Sequence, residues 1–268
     1  MAYLNTETGH RIYFEQHRGT KLPVMLIHGW GASSRVWDTT LSALLAAGHG
    51  VVMFDQRGCG QSDKDFPANT IALGAADALA VLRQSGIQRA VVNGWSLGGA
   101  IATETAHRLG KNCAGLVLTA GATPRYVQAP DYPHGNAPGS TAATIEALRQ
   151  DRANFLDGLT KAVCAVPQSA AVHAWMWSMF MQTSPCADTS LAELDTLDQR
   201  AILASLDVPI LSFIGTNDVI VSPEIGRSAA KFARKLKAVE FTGCGHAPFI
   251  EDAPRYRAEL LSFLGALG

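Results

Sequence analysis

Val91-Val-Asn-Gly-Trp-Ser-Leu-Gly-Gly-Ala-Ile-Ala-Thr-Glu-Thr-Ala106 joins a short apolar run to a helix of small residues, with three glycines around a single serine at the joint. Glycine loses more backbone freedom on folding than any other residue, so three at one joint need a local reason. Either they serve close packing alone, or they hold Ser96 on a tight, exposed turn for use as a nucleophile. G-x-S-x-G between a predicted strand and a predicted helix is the context that a nucleophile elbow requires. Gly94 and Gly98 then give the turn room, and Gly99 lets the helix approach the strand. Ser96 sits at the helix N-terminus, where partial positive charge favours a developing anion.

Outward from this joint the chain keeps one rhythm. A hairpin opens it, with Ala2–Thr6, a turn at Glu7–Gly9, and an alternating apolar stretch from His10 to Glu15. Continuous apolar runs then begin at Val24, Val51, Ala90, Leu116, Pro209 and Ala238. Helical stretches lie between them, one of which (from Ala75) ends on Gly86, a residue suited to a helix C-terminus. Strands without alternation, separated by amphipathic helices, indicate an α/β fold whose mostly parallel sheet carries helices on both faces. Between Thr123 and Arg200 no strand candidate occurs. A Pro/Gly-rich lead-in is followed there by helix-like segments, so the expected division is a core of residues 1–122 and 201–268 with a helical insertion at 123–200. The insertion's cluster of Trp175, Met176, Trp177, Met179, Phe180 and Met181 either faces the C-terminal edge of the sheet or forms the insertion's own core.

Composition narrows the function. The 268 residues are enough for a core without disulfide or metal staples, and 22 basic residues balance 23 acidic ones without runs of either sign. Nucleic acid and anionic membrane are therefore not expected as partners. The N-terminal stretch lacks the basic and apolar regions of a signal peptide, and no apolar run approaches the roughly 20 residues that span a bilayer. Cys59, Cys113, Cys164, Cys186 and Cys244 are odd in number and form no C-x-x-C pair, which suits free thiols of a reducing, cytoplasmic compartment. No histidine and cysteine fall at zinc spacing, so no metal is expected.

A serine hydroxyl needs a base and an acid to orient the base. His246 lies in Phe241-Thr-Gly-Cys-Gly-His-Ala-Pro-Phe-Ile-Glu-Asp252, a glycine-rich loop after the last predicted strand, and Asp218 follows the penultimate one. Each of the three ends a strand, and the order Ser96, Asp218, His246 suits a Ser–Asp–His triad in a parallel sheet. Leu26-Ile-His-Gly-Trp-Gly-Ala-Ser-Ser-Arg-Val-Trp37 leaves an early strand. Trp30 there and Leu97 after the serine are the expected backbone N–H donors to an oxyanion. His28 is taken as a residue that shapes this loop, because His246 already fits the role of base.

The hairpin, H-G-W-G, the segment Phe54-Asp-Gln-Arg-Gly-Cys-Gly-Gln-Ser-Asp63, G-W-S-L-G-G, the Asp218 loop and G-C-G-H-A-P-F-I-E-D together resemble the α/β-hydrolase superfamily along the whole chain. H-G-W-G, G-W-S-L-G-G and H-A-P-F-I are most similar to the pimeloyl-carrier-protein methyl ester esterases. The Phe54–Asp63 segment is similar to small carboxylesterases and cofactor-free haloperoxidases, and the resemblance makes it a structural turn near the site. It also makes the insertion a cap. Members with aspartate at the nucleophile position cleave halides or epoxides, whereas serine implies acyl transfer to water, without a cofactor, from a small-molecule ester, thioester or lactone. A lactonase or carbon–carbon bond hydrolase would use the same triad, and a ligand receptor on the same fold is the reading from another class. Trp95, Trp175, Trp177, Met179 and Phe180 are the expected substrate-binding residues, suited to a neutral or apolar acyl group.

Overall fold

The computed structural model describes residues 2–267. Its eight strands are β1 (Ala2–Asn5), β2 (Arg11–His17), β3 (Lys21–Ile27), β4 (His49–Phe54), β5 (Ala90–Trp95), β6 (Cys113–Thr119), β7 (Ile210–Gly215) and β8 (Leu236–Phe241). They form one sheet in the order β1-β2-β4-β3-β5-β6-β7-β8. β2 pairs antiparallel with β1 and β4, and every later pairing is parallel, with Val24 opposite Val91 and Val91 opposite Gly115. β4, β5, β6 and β7 are buried along their whole length, as apolar strands covered on both faces must be.

Two strands depart from the expected pattern. β2 does not alternate, because Ile12, Tyr13, Phe14 and Glu15 are all buried. The strand lies between two neighbours, its Tyr13 N–H is taken by Ser62 Oγ at 2.9 Å, and Glu15 is neutralised by Arg35 at 2.7 Å. β8 at the far edge alternates over its second half, burying Val239 and Phe241 while Ala238 and Glu240 face water. Exposed charges on an edge strand, here Lys237 and Glu240, also discourage pairing with another chain.

Helices α1 (Asp38–Ala46), α2 (Ile71–Gln84) and α3 (Leu97–Leu109) connect β3 to β6 in turn, while α9 (Pro223–Ala229), α10 (Pro248–Glu251) and α11 (Ala253–Gly265) follow β7 and β8. α2 starts on Thr70, whose hydroxyl accepts the Leu73 N–H at 3.1 Å, and stops at Gly86, where the Ile87 N–H returns to the Leu82 carbonyl at 3.0 Å. Gly86 has φ +69°, the left-handed value that such a stop uses. Between β6 and β7 lie α4 (Ser140–Gln150), α5 (Arg152–Ala162), α6 (Ala170–Met181), α7 (Asp188–Glu193) and α8 (Arg200–Ser205). This stretch docks on the core by bonds to backbone carbonyls, with Gly31 O taken by Thr183 Oγ1, Ala187 O by the Trp30 indole at 3.1 Å, and Gly58 O by the Ser184 N–H at 2.9 Å. All five cysteines are unpaired. Among the described residues no helix is long and apolar enough to cross a membrane.

Candidate active site

Ser96 stands between β5 and α3 with φ 57° and ψ −125°, a left-handed backbone that L-residues avoid at a cost on the order of 1–3 kcal/mol. Neighbouring backbone holds it there. Its N–H reaches Thr119 O at 3.0 Å, and its carbonyl accepts the N–H groups of Gly99 at 2.8 Å and Ala122 at 2.9 Å. Side chains would not fit around this turn. A Cβ on Gly94 would fall on the Gly98 carbonyl, and one on Gly98 on the Ile27 and His28 carbonyls. The serine side chain makes no capping bond to α3, which leaves its hydroxyl uncommitted to the helix.

Asp218 and His246 come together from the loops after β7 and β8. His246 Nδ1 lies 2.7 Å from Asp218 Oδ2, and both side chains are buried. The other carboxylate oxygen accepts the N–H groups of Ile220 at 2.8 Å and Val221 at 2.9 Å, so the carboxylate is fully engaged and fixed in direction. A histidine whose Nδ1 donates to a carboxylate presents an unprotonated Nε2 when neutral.

The His246 loop has its own fastening, which the sequence reading missed. Glu251 accepts the N–H groups of Gly245 at 2.9 Å and Ala247 at 3.2 Å, and also those of Ala165 and Val166 at 2.8 Å, between α5 and α6. His246 itself donates its N–H to Val163 O at 2.8 Å. The loop with the histidine is thus tied to the helical stretch by one carboxylate and one backbone bond. The signal was a glutamate five residues beyond the histidine, but nothing in sequence tells a surface glutamate from one that collects four N–H groups.

Trp30, Leu97, Ser96 and His246 line one cavity of about 330 Å³. The H-G-W-G loop runs beside the serine, since a Cβ on Gly29 would stand 3.1 Å from Ser96 Cβ. Among the described residues no acceptor takes the backbone N–H of Trp30 or Leu97. His28 is fully buried below that loop, its Nε2 accepts the Gln56 N–H at 2.9 Å, and its Nδ1 lies 2.7 Å from Gly29 O. With Nε2 accepting, Nδ1 must be the protonated nitrogen, and burial lowers the imidazole's pKa. His28 therefore shapes the loop, as the sequence suggested. The Phe54–Asp63 turn serves the same frame, with Asp55 accepting the N–H groups of Ser34 and Gln61 at 2.7 Å.

The expected substrate-binding residues separate. Trp95 and Phe180 line the cavity, but Trp175, Trp177 and Met179 do not. α6 turns Met176, Met179 and Phe180 inward at helical spacing, which buries Met179 in the hydrophobic core and leaves Trp177 39% exposed. Trp175 is half-buried against the edge of the core. Trp95 serves the histidine as much as the cavity, because its indole N–H bonds His246 O at 2.8 Å and its ring lies 5.4 Å from the imidazole. The reading from sequence also missed a polar wall of Tyr126, Asn136, Ser140, Thr141 and Thr144. Among the described residues no cluster of three His, Cys, Asp or Glu is placed to hold a metal ion.

The sequence profile of the alpha/beta hydrolase fold matches residues 23–253. A pimeloyl-[acyl-carrier protein] methyl ester esterase from Stenotrophomonas maltophilia is 31% identical over 91% of this chain and 93% of its own. A non-heme haloperoxidase from Rhodococcus erythropolis is 27% identical over 98% and 99%. The solved structure of an esterase from Exiguobacterium antarcticum superposes with a TM-score of 0.93 at 25% identity, covering 98% of both chains. The profile takes in the sheet from β3 onward and the helical stretch between β6 and β7, the last two likenesses cover nearly the whole chain, and the chain belongs to the α/β hydrolase fold family.

Proposed function

We propose that this hydrolase cleaves carboxylic esters through an acyl-enzyme formed on Ser96. The observation that carries the reading is the buried Asp218–His246 pair, at 2.7 Å, whose histidine lines the same cavity as a serine held in left-handed backbone. Ser96 Oγ attacks the ester carbonyl as His246 Nε2 takes its proton, and the alcohol leaves with that proton. Asp218 keeps Nδ1 protonated and stabilises the imidazolium while it exists. The N–H groups of Trp30 and Leu97 bind the tetrahedral oxyanion, which fits their having no acceptor in the protein. Water activated by His246 then releases the acid. Relatives named esterases support an ester as the small-molecule substrate. A thioester or lactone carbonyl would meet the same groups.

In this reading residues 123–200 form a cap over a core of 1–122 and 201–268, supported by α4–α7 lying between β6 and β7 and contributing to the cavity. Five unpaired thiols support a reducing, cytoplasmic setting. Replacing Ser96 with Ala should lower kcat for short p-nitrophenyl esters by about 10⁴- to 10⁶-fold with the circular dichroism spectrum unchanged. Near-normal turnover by that variant would refute the mechanism.

A further inference from the structure

Two backbone N–H groups aim Asp218, and the peptide that carries one of them is itself held. Oδ1 of Asp218 accepts the N–H groups of Ile220 at 2.8 Å and Val221 at 2.9 Å. The Ile220 carbonyl belongs to the same peptide unit as the Val221 N–H. It accepts twice, from the Tyr126 hydroxyl at 3.1 Å and from Asn136 Nδ2 at 3.3 Å. Among the described residues no other hydrogen bond ties residues 219–221 to the rest of the chain. Val219 adds little packing there, being 76% exposed.

Both donors come from the lead-in to the helical stretch, and they are built as one unit. The Asn136 N–H bonds Tyr126 O at 2.9 Å, and the Gln128 N–H bonds Asn136 O at 2.9 Å. Gly135, at φ +115°, lets the two segments close, since a Cβ there would stand 2.6 Å from Tyr126 O. Burial, and next the charge of Asp218, push the Tyr126 hydroxyl up to about 12, so it keeps its proton at neutral pH. Both residues line the cavity, but the one O–H of Tyr126 is spent on the Ile220 carbonyl. Linked hydrogen bonds polarise one another, so a carbonyl that accepts two makes the N–H at the far end of its peptide a better donor to the carboxylate.

We propose that Tyr126 and Asn136 are positioning residues, which clamp the Ile220–Val221 peptide and through it aim Asp218 at His246. This inference rests on the ester reading and adds a second tie to the one made by Glu251. The stretch between β6 and β7 then grips both loops, the histidine's at Val163–Val166 and the acid's at Ile220.

Tyr126→Phe and Asn136→Leu keep the shapes and remove the donors. With a short p-nitrophenyl ester, kcat should fall by about fivefold in each and about thirtyfold in the pair, the fold-changes of one and of two neutral hydrogen bonds. KM should stay within about twofold. Rates are taken per chain that accepts one phosphonate, so unfolded chains do not count. Tyr126→Phe, which keeps the Asn136 bond, carries the test should the pair not fold. The second readout needs no substrate: the proton between His246 Nδ1 and Asp218 gives a low-field magnetic resonance, assigned by its loss in His246→Gln. In the variants it should shift and exchange faster with water. A raised KM at unchanged kcat would make the two residues substrate contacts and overturn the clamp. Unchanged kinetics overturn it, and so does a fall in kcat with the resonance unmoved, because that loss would not pass through Asp218. Should the wild-type chain turn over no ester, the ester reading fails by itself. The clamp is then judged by the resonance alone, where an unmoved signal overturns it.

Discussion

The strand-end loops and the helical stretch between β6 and β7 meet at one cavity but are built on different physical terms. Ser96, Asp218 and His246 are held by backbone. The serine turn is fixed by three main-chain bonds and two glycines, the aspartate by two N–H groups, and the histidine loop by the Glu251 carboxylate. The helical stretch contributes mainly side chains, whose direction depends on the rotation of each helix. Strict backbone demands leave residue types that sequence displays, such as glycine beside a turn or an acid after a strand. Rotation of an apolar helix leaves no such mark, since α6 is hydrophobic nearly all round and any face of it would pass for the buried one.

This contrast breaks if the loops turn out to be as tolerant as the helices. Outside the three residues Ser96, Asp218 and His246, the largest effect is expected at the tie between the two regions. Glu251→Gln keeps the shape but halves what the group can accept, because its nitrogen end cannot take an N–H. Released by even 1 Å, His246 should lower kcat by about 10²-fold while KM changes little. Steady-state kinetics on a short ester read this directly, and a rise in KM at unchanged kcat would mean that Glu251 serves the cavity and not the histidine.

A smaller effect should appear on α6. Phe180→Ala opens the cavity wall and should raise KM for medium-chain esters and move the chain-length optimum, with a melting-temperature loss from removing a buried aromatic of about 3–5 kcal/mol. Trp177→Ala, at an exposed position, should alter stability by no more than about 0.5 kcal/mol and leave the ester-length profile unchanged. A shifted profile in Trp177→Ala would show that the face of α6 toward the cavity is not the one described.

These two helix positions show where sequence stops being sufficient. The order of Ser96, Asp218 and His246, the eight strands and the strandless stretch were readable because periodicity, glycines and chain order carry them. The split among Trp175, Trp177, Met179 and Phe180 was not, because all four suit a buried apolar face. Nor was the polar wall at Ser140 and Thr141, since two hydroxyl residues after a glycine read as an ordinary helix start. Glu251 and Glu15 were hidden for a related reason, since Ala165 and Val166, which engage the half-buried Glu251, and Arg35, which neutralises the buried Glu15, are distant in sequence.

The smallest expected effect lies beneath the H-G-W-G loop. Burial lowers the His28 pKa, so the folded chain binds this proton at lower pH than the unfolded chain, whose imidazole titrates near 6.5. The linked stability is complete above about pH 6.5 and is lost as the pH falls below it, because the unfolded state then binds more protons. Nitrogen chemical shifts of the imidazole should show His28 neutral and protonated on Nδ1 at pH 6, and the melting temperature should fall on acidification from that point. A doubly protonated His28 at pH 6 in the folded chain would contradict the hydrogen bonds assigned to it.

Intact-mass spectrometry after treatment with a p-nitrophenyl phosphonate tests the nucleophile most directly. One adduct per chain is predicted, located by peptide mapping on Ser96, with esterase activity lost in proportion to labelling. Stoichiometric label on another residue, or full ester turnover by a chain already labelled at Ser96, would contradict the account.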